Sequence, residues 1–337
     1  MPLFALGTLI YILIGSVVLL LFRDNPISLI SEMLATIPHG LSSFLAIGWW
    51  LVPIFLMFAL VVDRKLLVKR LSNTILSAFI CTAFFTYFTI LKTTMPMITP
   101  FWADPLMVKM DNILHFGVDP WVLTHRLTAW IPIKYVINIY YNAWLLPAMY
   151  LPVLLAMFDT DAARTRRFIL LYMFTWVGLG NLVALSFLSA GPVYFDRLYG
   201  GEYFAALVSG LEQAQITTSG VGRLIDHLWV AYESGAQQVG SGISAFPSVH
   251  VGMATVFSLY LFERHRYFLP LSIGIACTYQ FLSVYQGWHY AVDGYFSILA
   301  ITTLWAFLRR RAQKRSETPQ VSDLAASSKS VTAQTLS

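Results

Sequence analysis

The sequence predicts an all-α fold, a polytopic membrane bundle of about eight transmembrane helices, and three observations carry that prediction. Of the 337 residues, 57% are hydrophobic and only 12% charged, where an ordinary soluble domain has about 25% charged residues; the mean hydropathy is +0.66. Apolar runs of about 20 residues, the length a helix needs to cross a bilayer, recur along the chain. Basic residues gather in every second connection between those runs, the pattern that orients membrane helices.

The elements follow in order. A first span is expected over 3–22, with no basic segment before it and no small-residue cleavage site, so it reads as a retained helix and not a removed signal peptide. The second is expected over 42–62 and the third over 74–93. A loop from 94 to 135, rich in Pro, Trp and Asp, has mixed polarity suited to a short helix at the membrane surface. Spans four and five are expected over 136–158 and 168–189, and a second long loop runs from 190 to 246. Spans six, seven and eight follow over 247–262, 267–286 and 289–308. This divides the chain into N-terminal helices with an outer loop (1–135), a core in the C-terminal half (136–308) and a tail (309–337) that is basic and then too poor in apolar residues to fold. Cys81 and Cys277 fall in apolar runs and read as small core residues.

The basic residues set the sidedness. Arg64, Lys65, Lys69 and Arg70, then Arg164, Arg166 and Arg167, then Arg264 and Arg266, then Arg309, Arg310, Arg311, Lys314 and Arg315 account for 14 of the 22 Lys and Arg, all in alternate connections. Both termini are therefore expected in the cytoplasm. The loop from 190 to 246 holds more acids (Asp196, Glu202, Glu212, Asp226, Glu233) than bases (Arg197, Arg223), as an outer loop should. This placement accounts for the net charge of +5, so the basicity does not point to nucleic acid.

That topology brings two distant motifs to one depth. "SAFPSVHVG" (244–252) opens span six and "GWHYAVD" (287–293) opens span eight, both at the outer mouth. His289 and Asp293 are four residues apart, hence on one helix face. A carboxylate beside an imidazole fixes its tautomer and leaves the other nitrogen free as base or nucleophile. Pro247 suits the start of a helix, and the free N–H groups of that first turn favour an anion, phosphate above all. His250 and His289 could then divide attack on phosphorus from protonation of the leaving oxygen. Ser248 either donates to a phosphate oxygen or caps the helix. Two histidines and an aspartate could instead hold zinc, although no further ligand is evident. A non-catalytic transporter or lipid-binding scaffold is the alternative of another class. Asp111 and Asp119, in the first outer loop, either bind a polar headgroup or simply make the loop polar.

These residues carry a resemblance. "PSVH" (247–250) resembles the second signature of the type 2 phosphatidic acid phosphatase superfamily, and "SVYQGWHYAVD" (283–293) resembles its third, with the His-x-x-x-Asp spacing intact. The resemblance implies that His289 forms a phosphohistidine, that Asp293 orients it, that His250 is the general acid, and that no cofactor is needed. It implies a catalytic centre on the extracytoplasmic face. Where the superfamily keeps an arginine in the third signature this chain has Ser283, and the first signature has no clear match. Arg197 and Arg223, the arginines of the outer loop, are the candidates to replace that phosphate clamp. The wording of the third signature, together with "SAGPVYFDR" (189–197) and "YYNAWLLPAMYLPV" (140–153), is similar to the inositol phosphorylceramide synthase branch and its bacterial relatives. That branch implies an inositolphosphotransferase; the resemblance favours a bacterial plasma membrane, with a eukaryotic Golgi-type membrane left open. The expected partners are membrane lipids, with a phospholipid or polyprenyl phosphate as substrate. A lipid phosphatase differs only in having water as acceptor, and the sequence does not separate the two. Oligomeric state is left open.

Overall fold

A computed structural model describes the backbone of the chain except Trp50, Val62 and residues 236–240 and 335–337; side chains of 315–334 and of several residues between 28 and 61 are also outside the description. Every regular element among the described residues is helical. Helix α1 (Pro2–Phe22) buries Phe4, Thr8, Tyr11, Gly15 and Leu19, a stripe at three- and four-residue spacing. Its other faces leave Leu6, Leu9, Leu13 and Leu20 exposed, a surface that only lipid would cover without cost. At Gly15 the packing is closest, since an added Cβ would stand 2.6 Å from side-chain atoms of Tyr87 and Leu91.

The span expected over 42–62 is not one helix. Helix α2 (Pro26–Ile47) stops at Gly48, where a Cβ would meet the Tyr150 ring at 2.7 Å, and α3 (Leu51–Val61) has only 11 residues. A helix of that length rises about 16 Å, half of a hydrocarbon core of about 30 Å. Helix α4 (Arg64–Ile98) is the longest apolar element of the N-terminal half; Asp63 caps it by accepting from the N–H groups of Lys65 and Leu66. The first long loop forms α5 (Asp104–Leu114) and α6 (Pro120–Thr128), each with proline in its first turn. Then come α7 (Ile133–Phe158), with a π turn at Leu146–Tyr150, and α8 (Ala162–Ser186), with a π segment at Phe174–Val183.

The region 190–246, expected as loop, is also mostly helical: α9 (Pro192–Tyr199), α10 (Ala205–Gln213) and α11 (Gly220–Glu233). Each is short and buries one apolar edge, such as Leu207 and Leu211 of α10, against the bundle. Helix α12 (Val249–Arg264) and α13 (Leu269–Tyr285) follow, and α14 (Ala291–Gln334) runs far past its apolar part. The tail expected to stay unfolded from 309 thus continues the helix, beginning with "RRRAQKR", residues of high helix propensity. Cys81 is buried as expected, but Cys277, on α13, is exposed.

Six helices among the described residues are long and apolar enough to cross a membrane: α1, α4, α7, α8, α13 with the turn before it, and α14 as far as Lys314. The expected eight are reduced by the broken α2–α3 segment and by α12, whose 16 residues rise about 24 Å. The chain is an integral, multi-pass membrane protein.

Contacts align the ends. Arg70 at the start of α4 donates to the Met157 carbonyl at the end of α7. Arg164 pairs with Asp159, Arg167 with Glu263, and Arg309 lies over the Trp305 ring. The basic connections therefore collect at one end. At the other end Arg23, after α1, meets Thr93 and Thr94 near the end of α4, and the two histidine motifs lie there too. One core cluster, with Phe84, Tyr87, Tyr172 and Met253, fills the bundle; a second, with Met107, Leu188, Leu207 and Tyr290, fills the end carrying the motifs.

Candidate active site

Three loops knit the site. The segment before α12 is fixed to the segment after α8: Ala245 N–H donates to the Ser189 carbonyl and Phe246 N–H to Ser189 Oγ. The segment before α14 is fixed to the start of α9, where Val193 N–H donates to the Gly287 carbonyl at 2.9 Å. Gly191 makes this approach possible. Its φ of +100° suits glycine, and a Cβ there would stand 2.5 Å from the Trp288 carbonyl oxygen. "SAGP" is thus the piece of chain on which both histidine loops rest.

His289 Nδ1 lies 2.9 Å from the Ala245 carbonyl and 3.2 Å from Asp293 Oδ2. A carbonyl can only accept, so Nδ1 carries the proton and Nε2 keeps its lone pair. Nε2 points to His250, whose Nδ1 is 3.4 Å away. Burial first, and then the positive charge of Lys92, push the His289 pKa down to about 3, against the Ala245 hydrogen bond. The ring is therefore neutral at neutral pH, the form a nucleophile needs. Asp293 is held in turn by the Tyr290 N–H at 3.0 Å, while its own carbonyl accepts from Ser248 N–H at 3.2 Å. The two motifs are bonded directly to each other through that contact.

Ser248 takes the capping role: its Oγ accepts from Val251 N–H at 3.3 Å, and the residue is fully buried. Pro247 therefore sits just before the cap and not in the first helical turn. His250 packs on Trp144, ring centroids 4.2 Å apart, with Trp288 at 5.7 Å.

A cavity of about 240 Å³ opens beside the two histidines. Its walls are Phe85, Phe88, Thr89 and Lys92 of α4, Tyr141, Trp144 and Met149 of α7, Trp176 of α8, Leu224 and Leu228 of α11, and Ser244, Val249 and Trp288. Among the described residues no carboxylate lines it. Neither Arg197 nor Arg223 does either: Arg197 pairs with Asp226 at 3.1 Å, and Arg223 donates to the Thr218 carbonyl of its own loop. The cation at the site is Lys92, which makes no hydrogen bond or ion pair among the described residues and acts electrostatically on both histidines. Sequence reasoning passed over it because it sits near the end of an otherwise apolar run, outside any signature. A lone lysine in a membrane segment is itself the signal. Among the described residues no group of three His, Cys, Asp or Glu side chains is arranged to hold a metal ion.

The model of the PAP2 superfamily matches residues 105–307. The chain belongs to the PAP2 superfamily. No curated protein and no solved structure shows a significant match to it. The matched range contains His250, His289 and Asp293 and begins one residue into α5, so that Asp111 falls within it, while Asp104 and Lys92 lie before it. Membership implies the chemistry of lipid phosphatases and phosphotransferases, acting on lipid phosphates.

Proposed function

We propose that this PAP2 protein is a lipid phosphotransferase that moves a phosphate-bearing headgroup between lipids through a phosphohistidine, of the inositol phosphorylceramide synthase type. The observation that carries the reading is the His289 ring, its Nδ1–H held by Ala245 and Asp293 and its unprotonated Nε2 turned to His250 Nδ1 at 3.4 Å, with Lys92 lining the same cavity. In the first step Nε2 attacks phosphorus, the bond to the donor lipid's oxygen breaks, and His250 protonates that oxygen. In the second step an acceptor hydroxyl attacks phosphorus, gives its proton to His250, and the P–N bond breaks. Lys92 and the first turn of α12 balance the phosphoryl charge. Asp293 keeps the imidazole in one tautomer and stabilises its positive charge after attack.

The lining of the cavity favours transfer over hydrolysis. Phe85, Phe88, Trp144, Trp176 and Trp288 give the cavity an apolar wall beside the polar groups of Thr89, Lys92, Tyr141 and Ser244, a lining that suits a lipid alcohol as acceptor. The absence of a lining carboxylate disfavours cationic headgroups and suits an uncharged polyol such as inositol, which can stack on indole faces. The basic connections gather at the opposite end of the bundle, which supports a cytoplasmic location for both termini and an extracytoplasmic site. The test is to offer the detergent-purified protein phosphatidylinositol together with a lipid alcohol. A transferred inositol phosphate supports the proposal. Free phosphate from phosphatidic acid, with no transfer, would support the phosphatase reading instead.

A further inference from the structure

Two carboxylates of α5 reach the backbone that carries the catalytic groups, yet neither lines the cavity beside the histidines. Asp104 and Asp111 are seven residues apart, two turns along one helix face, and are 0% and 3% exposed. Asp111 accepts from the N–H groups of Ala291 at 2.8 Å and Val292 at 2.9 Å, one to each oxygen. These belong to the first turn of α14, the turn that holds Asp293. Asp104 accepts from Ala190 and Gly191 N–H at 2.8–3.0 Å and from the Tyr290 hydroxyl at 2.9 Å, with Tyr199 OH at 3.4 Å. Tyr290 in turn gives its N–H to Asp293. One short helix thus grips both the "SAGP" segment and the His289–Asp293 loop.

We infer that Asp111 is a positioning residue of the reaction: by capping α14 it sets the geometry of the His289–Asp293 pair, and Asp104 sets the loop on which that pair rests. The inference rests on the phosphohistidine reading above. Burying an ionised carboxylate is costly, and a neutral side chain would suffice to cap a helix. Charge-assisted hydrogen bonds to two adjacent N–H groups are shorter and stiffer than neutral ones, which matters where a nucleophile must be held to within a fraction of an ångström.

The test uses the full chain in detergent with Asp111→Asn, which keeps the shape but turns one acceptor into a donor facing a backbone N–H, and Asp111→Glu, which keeps the charge but displaces it. With radiophosphorus-labelled phosphatidylinositol in mixed micelles, kcat and the rate of phosphohistidine formation should fall about 10²-fold in Asp111→Asn while KM stays within about twofold, because the residue holds the nucleophile and does not bind the lipid. Nitrogen-detected NMR of the His289 ring, which needs no substrate, should show the single Nδ1–H tautomer in the native chain and a mixture in Asp111→Asn. Asp226→Asn, at the surface pair with Arg197, should change neither. A raised KM at unchanged kcat, an unaltered tautomer and rate in Asp111→Asn, or unfolding of both Asp111 variants would overturn the inference. Failure of the native chain to form any phosphohistidine would instead sink the functional reading, and the NMR comparison would still decide whether Asp111 orients the ring.

Discussion

The two ends of this bundle handle charge in opposite ways. At the basic end, charges that leave water meet an opposite: Arg164 with Asp159 at 2.6 Å, and Arg167 with Glu263, which also accepts from the Trp305 indole. At the end with the histidines, among the described residues, Lys92 has no carboxylate partner, and Arg23 bonds to threonine hydroxyls and a carbonyl. The buried acids Asp104 and Asp111 there take backbone N–H groups, and Asp104 also tyrosine hydroxyls, instead of cations, while Arg197 and Asp226 pair at the exposed surface. Pairing at the first end completes a structure. At the second, among the described residues, Lys92 stands without a carboxylate partner beside the two histidines, as the proposed binding of an anionic phosphoryl group requires.

Substitutions that test this contrast fall in a definite order. His289→Ala removes the nucleophile and should lower kcat on the order of 10⁴-fold or more, measured as headgroup transfer per folded molecule. Lys92→Met removes the one lysine or arginine that lines the cavity among the described residues and should cost about 10²- to 10³-fold, with thermal stability unchanged or raised, since a buried charge is lost. Equal transfer in Lys92→Met would break the comparison at its centre. Glu263→Ala should do the reverse. It leaves Arg167 without its partner in surroundings where the two side chains are 11% and 7% exposed, a loss of about 3 kcal/mol seen as a lower melting temperature. Its rate per folded molecule should hold.

A pH series sharpens the second end. Burial, against the hydrogen bonds from Ala291 and Val292, raises Asp111 to about 6. Its folded pKa thus lies above the ordinary carboxylate value of about 3.9. Below about pH 6 the folded protein takes up a proton there, the α14 cap loses charge, and the rate should decline. His289, near 3, stays neutral through that window and cannot cause the decline. Asp111→Asn should abolish this acid limb; a limb that persists would assign it elsewhere. Smallest of all, Arg197→Ala and Arg223→Ala should leave the rate within about twofold, as expected of exposed side chains outside the cavity.

Much of this was legible from the amino-acid order. Hydropathy and loop charge gave the membrane class and the alignment of helix ends, because bilayer thickness and backbone satisfaction leave few options. The spacing of His289 and Asp293, and the proline, serine and histidine at 247–250, pointed to one mouth of the bundle, where His250, His289 and Asp293 lie together. What stayed hidden depends on contacts across distance. The break at Gly48 follows from the Tyr150 ring more than 100 residues on. The short helices α9 to α11 form because their apolar edges have the bundle to cover them, which no local pattern reveals. Arg197 and Arg223 drew attention by type and loop, but their partners are local. Lys92 comes from a helix outside the family match, and Asp104 and Asp111 act on segments 86 and 180 residues away.

The most direct measurement is to quench the native protein during turnover of radiophosphorus-labelled phosphatidylinositol, digest it, and locate the label. The account predicts an acid-labile, base-stable phosphoryl group on His289, absent from His289→Ala and sharply reduced in Lys92→Met. Label on any other residue, or undiminished transfer by His289→Ala, would contradict it.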